Sequence, residues 1–372
     1  MSKVPTSRPP FRADHVGSLL RPKALRDAFR KRAGNEIDDN QFAAVQDAAI
    51  RDVVKLQEDA GLGVVTDGEF RRASYWGRFV ERCQGFTIKP ALFKFRDDHG
   101  HEMDFTATYA EGKVARARAL AVDEYEFVSR VTAKAAKITL PAPSTMHLYR
   151  YADFANPAVY ANASAFFADL AKVFREEIAA LANAGCRYVQ LDEVAIALLC
   201  DPGIRAKLVA DKRDPDELIG LYIDSINDAV AGAPADMAIG VHMCRGNFKG
   251  HYLSEGGYDK IAERFFNETK VTHFLLEYDT PRAGDFAPLR FVPKGKGVVL
   301  GLVSSKSAAL EQRSDLECRI AEASKFIDLD RLGVGPQCGF ASTVAGNPLT
   351  AGDQSAKLRL VVDTAKAVWG SV

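Results

Sequence analysis

Eight short apolar runs recur along the chain, and this recurrence constrains the fold more than any other feature. They read ADHVGSL at 13–19, GLGVVTDGE at 61–69, AKITLPAPS at 136–144 and RYVQLDE at 187–193. Four more follow: MAIGVHMC at 237–244, HFLLEYD at 273–279, GVVLGLVSS at 297–305 and RLGVGPQCG at 331–339. Amphipathic helical patterns lie between most of them, such as NQFAAVQDAAIRDVVKLQEDAG and ASAFFADLAKVFREEIAALANAG, the second ending at Gly185 as a helix C-terminus should. Eight strands with intervening helices in 372 residues predict an α/β fold, a (β/α)8 TIM barrel rather than an open doubly wound sheet. One domain over 1–372 is expected.

One interval breaks the rhythm. From about 84 to 136, polar and apolar residues alternate, as in GFTIKPALFKF and EMDFTATYA around the turn-like RDDHGHE. This predicts an antiparallel β insertion after the second strand. The segment VARARALAVDEYEFVSRVTAKAAK fits either a continuation of that ribbon or a helix, and Pro5, Pro9 and Pro10 predict an extended arm over the first ten residues.

The strand ends carry the chemistry, because active sites on this fold sit where the strands finish. His242 and Cys244 are two apart, so on a strand both side chains leave one face. Glu277 ends FLLEYD, and Cys338 sits in GVGPQCGF among turn-forming Gly335, Pro336 and Gly339. One imidazole, one carboxylate and two thiolates form a set that binds Zn2+ best. Taken singly, each is as well explained as a buried cysteine, a core histidine or a strand-end acid. Jointly they point to a metal, which offsets the cost of burying unpaired polar groups together. Other strand ends supply His15, Gly17 and Ser18, then Asp67 and Glu69, Asp192 and Glu193, and Ser304 with Lys306. Two carboxylates beside a metal, Glu69 and Asp192, suit the ammonium group of an amino-acid substrate.

Composition removes several function classes. Lysine plus arginine equals aspartate plus glutamate at 49 each, so no global field favours nucleic acid or an anionic membrane. No apolar stretch approaches the ~20 residues of a membrane helix. The six cysteines form no disulfide-like framework and MSKVPTSRPPFRADH contains no apolar signal core, which predicts a cytoplasmic protein. A homodimer is the ordinary expectation for such an enzyme.

From HVGSLLRP through TDGEF, VQLDE, HMCRGN and LLEYD to GPQCGF, the chain resembles the catalytic domain of cobalamin-independent methionine synthase and its shorter, single-domain relatives. The resemblance implies His242, Cys244, Glu277 and Cys338 as zinc ligands, Gly17 and Ser18 as the loop meeting the substrate carboxylate, and Glu69 with Asp192 as holders of the homocysteine amine. The implied reaction is alkyl transfer from a small-molecule donor to a thiol, since a zinc-bound thiol is deprotonated without a general base. Glu277, a hard oxygen ligand among softer ones, is the ligand expected to loosen. Ser304 and Lys306 are further candidates for binding the acceptor.

The chain also departs from that family. The stretch after the seventh strand, LGLVSSKSAALE, holds no histidine, and the segment after the third, PAPSTMHLYRY, offers no tryptophan to stack on folate. Methyltetrahydrofolate transfers its methyl group poorly unless its leaving nitrogen is protonated. His15 is the candidate replacement acid, with His147 a weaker one. The donor stays open: a methylated corrinoid, a small S-methyl or O-methyl compound, or an activated alkyl group. Alternatives are transfer from an epoxide or other small donor to a coenzyme M-like thiol, a barrel with a purely structural zinc, and a zinc hydrolase.

Overall fold

The computed structural model describes residues 9–372. Most of the expected N-terminal arm, residues 1–8, lies outside the described residues. Six strands form one parallel sheet in chain order: Ile138–Pro141, Tyr188–Glu193, Ala238–Met243, His273–Glu277, Gly297–Val303 and Leu332–Pro336. Two further parallel contacts extend this run at its ends. Val64–Val65 pairs with Ala135–Ala136, just before Ile138, and Ala13 bridges to Val334. All eight apolar runs thus lie on neighbouring parallel segments. Between the first and second of them no ladder forms among the described residues; instead the Leu19 N–H donates to the Gly68 carbonyl at 3.1 Å and Thr66 Oγ1 donates to the Gly17 carbonyl at 2.7 Å.

The strands read as near-continuous apolar runs because helices cover them. Asp39–Asp59 begins with a capping box in which the Asp38 side chain accepts from Gln41 N and Gln41 returns the bond. Ala163–Asn183 is capped by Asn162 and released by Gly185 at φ 100°. Phe166, Leu170, Phe174, Ile178 and Leu181 of this helix are buried at helical spacing. No helix among the described residues is long and apolar enough to cross a membrane.

The insertion is antiparallel, as its alternation predicts: Cys83–Pro90 pairs with Thr106–Arg116, and the short strands Phe95–Arg96 and Glu102–Met103 pair at its tip. The ambiguous segment after it is the helix Val122–Val131. The ribbon does not hang free. Leu92 N donates to the Tyr149 carbonyl at 2.8 Å, and Arg96 exchanges backbone bonds with Tyr252, which brings Phe95 over the strand ends.

A buried polar layer lies among the strands. Lys137 Nζ is 2.7 Å from Asp14 Oδ1 and 2.9 Å from Gln190 Oε1, and Tyr188 OH meets both Asp14 Oδ2 at 2.5 Å and His273 Nε2 at 2.7 Å. Each charge has its counter-charge and further hydrogen bonds, the condition under which burial is tolerated.

Candidate metal and substrate site

Three of the four expected ligands converge. The ligating atoms of His242, Cys244 and Cys338 all lie within 4.8 Å of one another, and all three residues are buried. The strand Ala238–Met243 sets the first two on one face, and the turn after Leu332–Pro336 brings Cys338 across, its sulfur 3.7 Å from that of Cys244. His242 Nδ1 lies 3.2 Å from the Leu275 carbonyl, a contact that suits a proton on that nitrogen and orients the ring with Nε2 toward the sulfurs. Nε2 has no hydrogen-bond partner. A buried, lone nitrogen acceptor beside two thiols fits a soft or borderline divalent cation. The hydrogen bond between the two sulfurs holds the Cys338 thiol well below its usual range, against burial, with His242 and Lys306 adding to the effect. The same bond, with burial, drives Cys244 well above it.

Glu277 stands apart from the expected quartet. Its Oε2 accepts from Arg245 N at 2.7 Å, and its Oε1 faces Lys306 Nζ at 3.6 Å with both groups buried. The contact is an ion pair without a hydrogen bond, and Oε1 is a buried oxygen that no donor satisfies. Lys306 is accordingly a buried partner of Glu277 and not a solvent-facing group.

Glu69 and Asp192, the two carboxylates expected to bind substrate, line the same narrow cavity, about 40 Å3, as His242, Cys244 and Cys338. Glu69 has φ 61°, a conformation rare outside glycine, and Asp67 Oδ1 accepts from its N–H at 2.8 Å. Thr139 Oγ1 donates to Glu69 Oε1 at 2.7 Å, and Arg72 Nη1 donates to Thr139 Oγ1 at 2.9 Å. Glu69 Oε2 is buried and has no partner. Asp192 Oδ1 accepts from Gln190 Nε2 at 2.7 Å. Burial pushes the Asp192 carboxyl up to about 7, with His242 opposing and Glu69 adding to the rise. An ammonium group would relieve both carboxylates.

Ser18 also lines this cavity. A Cβ on Gly339 would stand 1.8 Å from Ser18 Oγ, so only glycine lets the Ser18 loop approach the Cys338 turn. Gly17, at φ 126°, passes Thr139 so closely that a Cβ would lie 2.7 Å from Thr139 Cγ2.

Two expected residues lie elsewhere. His15 is not on the cavity wall; burial, reinforced by Lys137, lowers its pKa to about 3. Side chains alternate along an extended segment, and here Asp14 joins the interior polar layer while Val16 lines the cavity, so His15 between them faces the other way. The structure does not bring it to the candidate site. Ser304 is likewise off the wall: its N–H donates to Glu311 Oε1 at 2.8 Å and its Oγ accepts from Lys306 N at 3.3 Å. His147 packs against Phe154 and Phe167, with Nδ1 2.9 Å from Tyr222 OH.

Sequence reasoning missed Tyr75, Phe95 and Asn247, which share the wall with Tyr149 of the PAPSTMHLYRY segment. Asn247 Nδ2 donates to the Gly339 carbonyl at 2.9 Å, while its buried Oδ1 has no partner. The HMCRGN run, just after two ligands, was the signal that could have flagged Asn247. A second cavity, about 370 Å3, adjoins the first through Tyr75, Phe95, Tyr149, Asn247 and Ser342, and Trp76 lies on its wall.

Residues 11–367 match the family described as "Cobalamin-independent synthase, Catalytic domain". The chain is 39% identical to the uncharacterized protein YxjH of Bacillus subtilis, over 97% of this chain and 95% of that one. It is 26% identical to a methionine synthase of Pyrococcus horikoshii, over 87% and 85% of the two chains. Among solved structures it is similar to a putative vitamin-B12 independent methionine synthase from Listeria monocytogenes, at TM-score 0.73 and 29% identity over 97% of this chain and 98% of that one. A B12-independent methionine synthase from Shewanella, solved with selenomethionine, shares the fold at TM-score 0.73 and 21% identity over 96% and 98%. The chain belongs to the cobalamin-independent methionine synthase family, as a relative of its catalytic domain, and is a methyltransferase.

Proposed function

We propose that this protein transfers a methyl group from a small-molecule donor to a thiol, with homocysteine the leading acceptor, at a zinc ion held by His242, Cys244 and Cys338. The observation that carries this reading is the convergence of those three ligating atoms within 4.8 Å, with His242 Nε2 left unpartnered. Three protein ligands leave a fourth position for the acceptor, the pattern of a catalytic rather than a closed structural zinc. Bound there, zinc would keep the acceptor thiol deprotonated at neutral pH. Glu277, which now faces the Arg245 amide and Lys306, would be the group able to share that fourth position while no acceptor is bound. Glu69 and Asp192 hold the acceptor ammonium, and the Gly17–Ser18 loop meets its carboxylate.

The scaffold in this reading is one domain, a closed (β/α)8 barrel whose first and second strands meet through the Leu19–Gly68 and Thr66–Gly17 bonds. Six unpaired cysteines support a reducing, cytoplasmic setting. Replacing Cys338 with serine and measuring methionine formation from homocysteine tests the assignment. Loss of most activity is expected; unchanged activity would reject it.

A further inference from the structure

The second cavity, which adjoins the thiol site, is lined by aromatic and neutral polar side chains alone. Tyr75, Trp76, Phe95, Phe105, Tyr149 and Phe248 line it, and among the described residues no Lys, Arg, His, Asp or Glu does. Phe105 stands edge-on to both Phe95, at 4.9 Å between centroids, and Tyr149, at 5.1 Å, so the rings form one connected wall. The adjoining cavity contributes the carboxylates of Glu69 and Asp192 and again no Lys or Arg among the described residues. Asn247, shared by both, presents a buried Oδ1 that no donor satisfies.

Charge decides between donor classes. A polyanionic donor would meet aromatic rings, an unsatisfied amide oxygen and two acids, with no Lys or Arg among the described residues lining either cavity; the Lys249 ammonium, itself not on the wall, already lies over the Phe248 ring, 5.3 Å from its centroid. A cation meets the reverse: aromatic faces carry negative potential, and their attraction for a positive centre is greatest where water is excluded. We propose that the aromatic cavity binds the donor as a methylated onium compound, a sulfonium or quaternary ammonium whose positive centre rests against the rings with one methyl group directed to the acceptor sulfur. This inference rests on the thiol methyl-transfer reading given above.

The reaction balances without an acid. The acceptor thiolate sulfur supplies the electron pair of the new S–CH3 bond; the CH3–S+ or CH3–N+ bond of the donor breaks, and its pair returns to the donor sulfur or nitrogen, which leaves as a neutral thioether or tertiary amine. No proton moves, in keeping with His15 and His147 lying off the walls of both cavities. The leaving group also loses the charge that held it among the rings, which favours its release.

The test compares choline with 3,3-dimethyl-1-butanol, which has the same shape without the charge, by calorimetry on the purified full-length protein. Choline is expected to bind roughly tenfold or more tightly than the alcohol, and Trp76→Leu to remove most of that difference while leaving the alcohol's affinity unchanged. Cys338→Ser should leave choline binding intact, since the sulfur is not on the aromatic wall. Trimethylsulfonium should then methylate homocysteine, giving dimethyl sulfide in equal amount. Equal affinity for choline and the alcohol, or methylation by other donors with none from trimethylsulfonium, would overturn the onium assignment and leave thiol methyl transfer standing. Zinc and methylation that both survive Cys338→Ser would overturn the parent reading while choline binding persisted.

Discussion

Lys306 Nζ lies 3.6 Å from Glu277 Oε1, both side chains buried beside the two site thiols. A lysine in that position has two consequences. It compensates the Glu277 charge when no cation is near, and it opposes any cation that arrives. Lys306→Met is therefore expected to destabilise the metal-free protein by about 3 kcal/mol, the usual cost of leaving one partner of a buried pair alone. The same substitution should tighten zinc binding, because Glu277 is released to the metal and a repelling charge is gone. Thermal melting with and without chelator, beside a competitive zinc titration, reads both effects. Unchanged metal-free stability and zinc affinity would remove Lys306 from this role.

Asp192 sets a pH dependence. Its carboxyl is raised to about 7, chiefly by burial, so the acceptor ammonium meets an ionised partner only as pH climbs through that value. For homocysteine, kcat/KM is expected to rise with pH up to about 7, and Asp192→Asn should flatten that limb and raise KM. The stability effect has the opposite sign: between 3.8 and about 7 the native state binds the proton more tightly than the unfolded chain, so ionising Asp192 costs stability as pH rises. Asp192→Asn should remove that loss. A rising limb that survives the substitution would assign it to another group.

Three buried histidines govern acid stability. His15, His147 and His273 are each lowered from 6.5 to about 3 by burial. Between those values the unfolded chain binds protons that the native chain refuses, so their contribution is complete above pH 6.5 and is lost progressively as pH falls toward 3. His147→Phe keeps the ring contacts and should reduce the slope of stability against pH in that window by one proton. At neutral pH it should cost about 1–3 kcal/mol for the unpaired Tyr222 hydroxyl. Denaturant titrations at pH 7 and pH 5 measure both. An unchanged slope would show that His147 does not titrate on unfolding.

The parallel framework was legible because its strands are covered on both faces and therefore read as apolar runs. RYVQLDE and HFLLEYD coincide closely with Tyr188–Glu193 and His273–Glu277. His242 and Cys244 were legible from their two-residue spacing, and Cys338 and Glu69 from their places at the ends of apolar runs. What escaped depends on distant parts of the chain meeting. Phe95 comes from the tip of the insertion, and Tyr75 and Trp76 from the loop after the second strand; none carries a local signal for the cavity they share with Tyr149. His15 was misplaced because the run ADHVGSL does not tell which alternate side chains face inward. The Asp14–Lys137 pair, 123 residues apart, decides it.

Zinc-edge X-ray absorption on the purified protein, before and after adding homocysteine, tests the central claim most directly. The account predicts about two sulfur scatterers at ~2.3 Å with nitrogen or oxygen completing the shell, and about three sulfurs once the acceptor binds. Absence of stoichiometric zinc, or a shell whose sulfur count does not change with homocysteine, would contradict it.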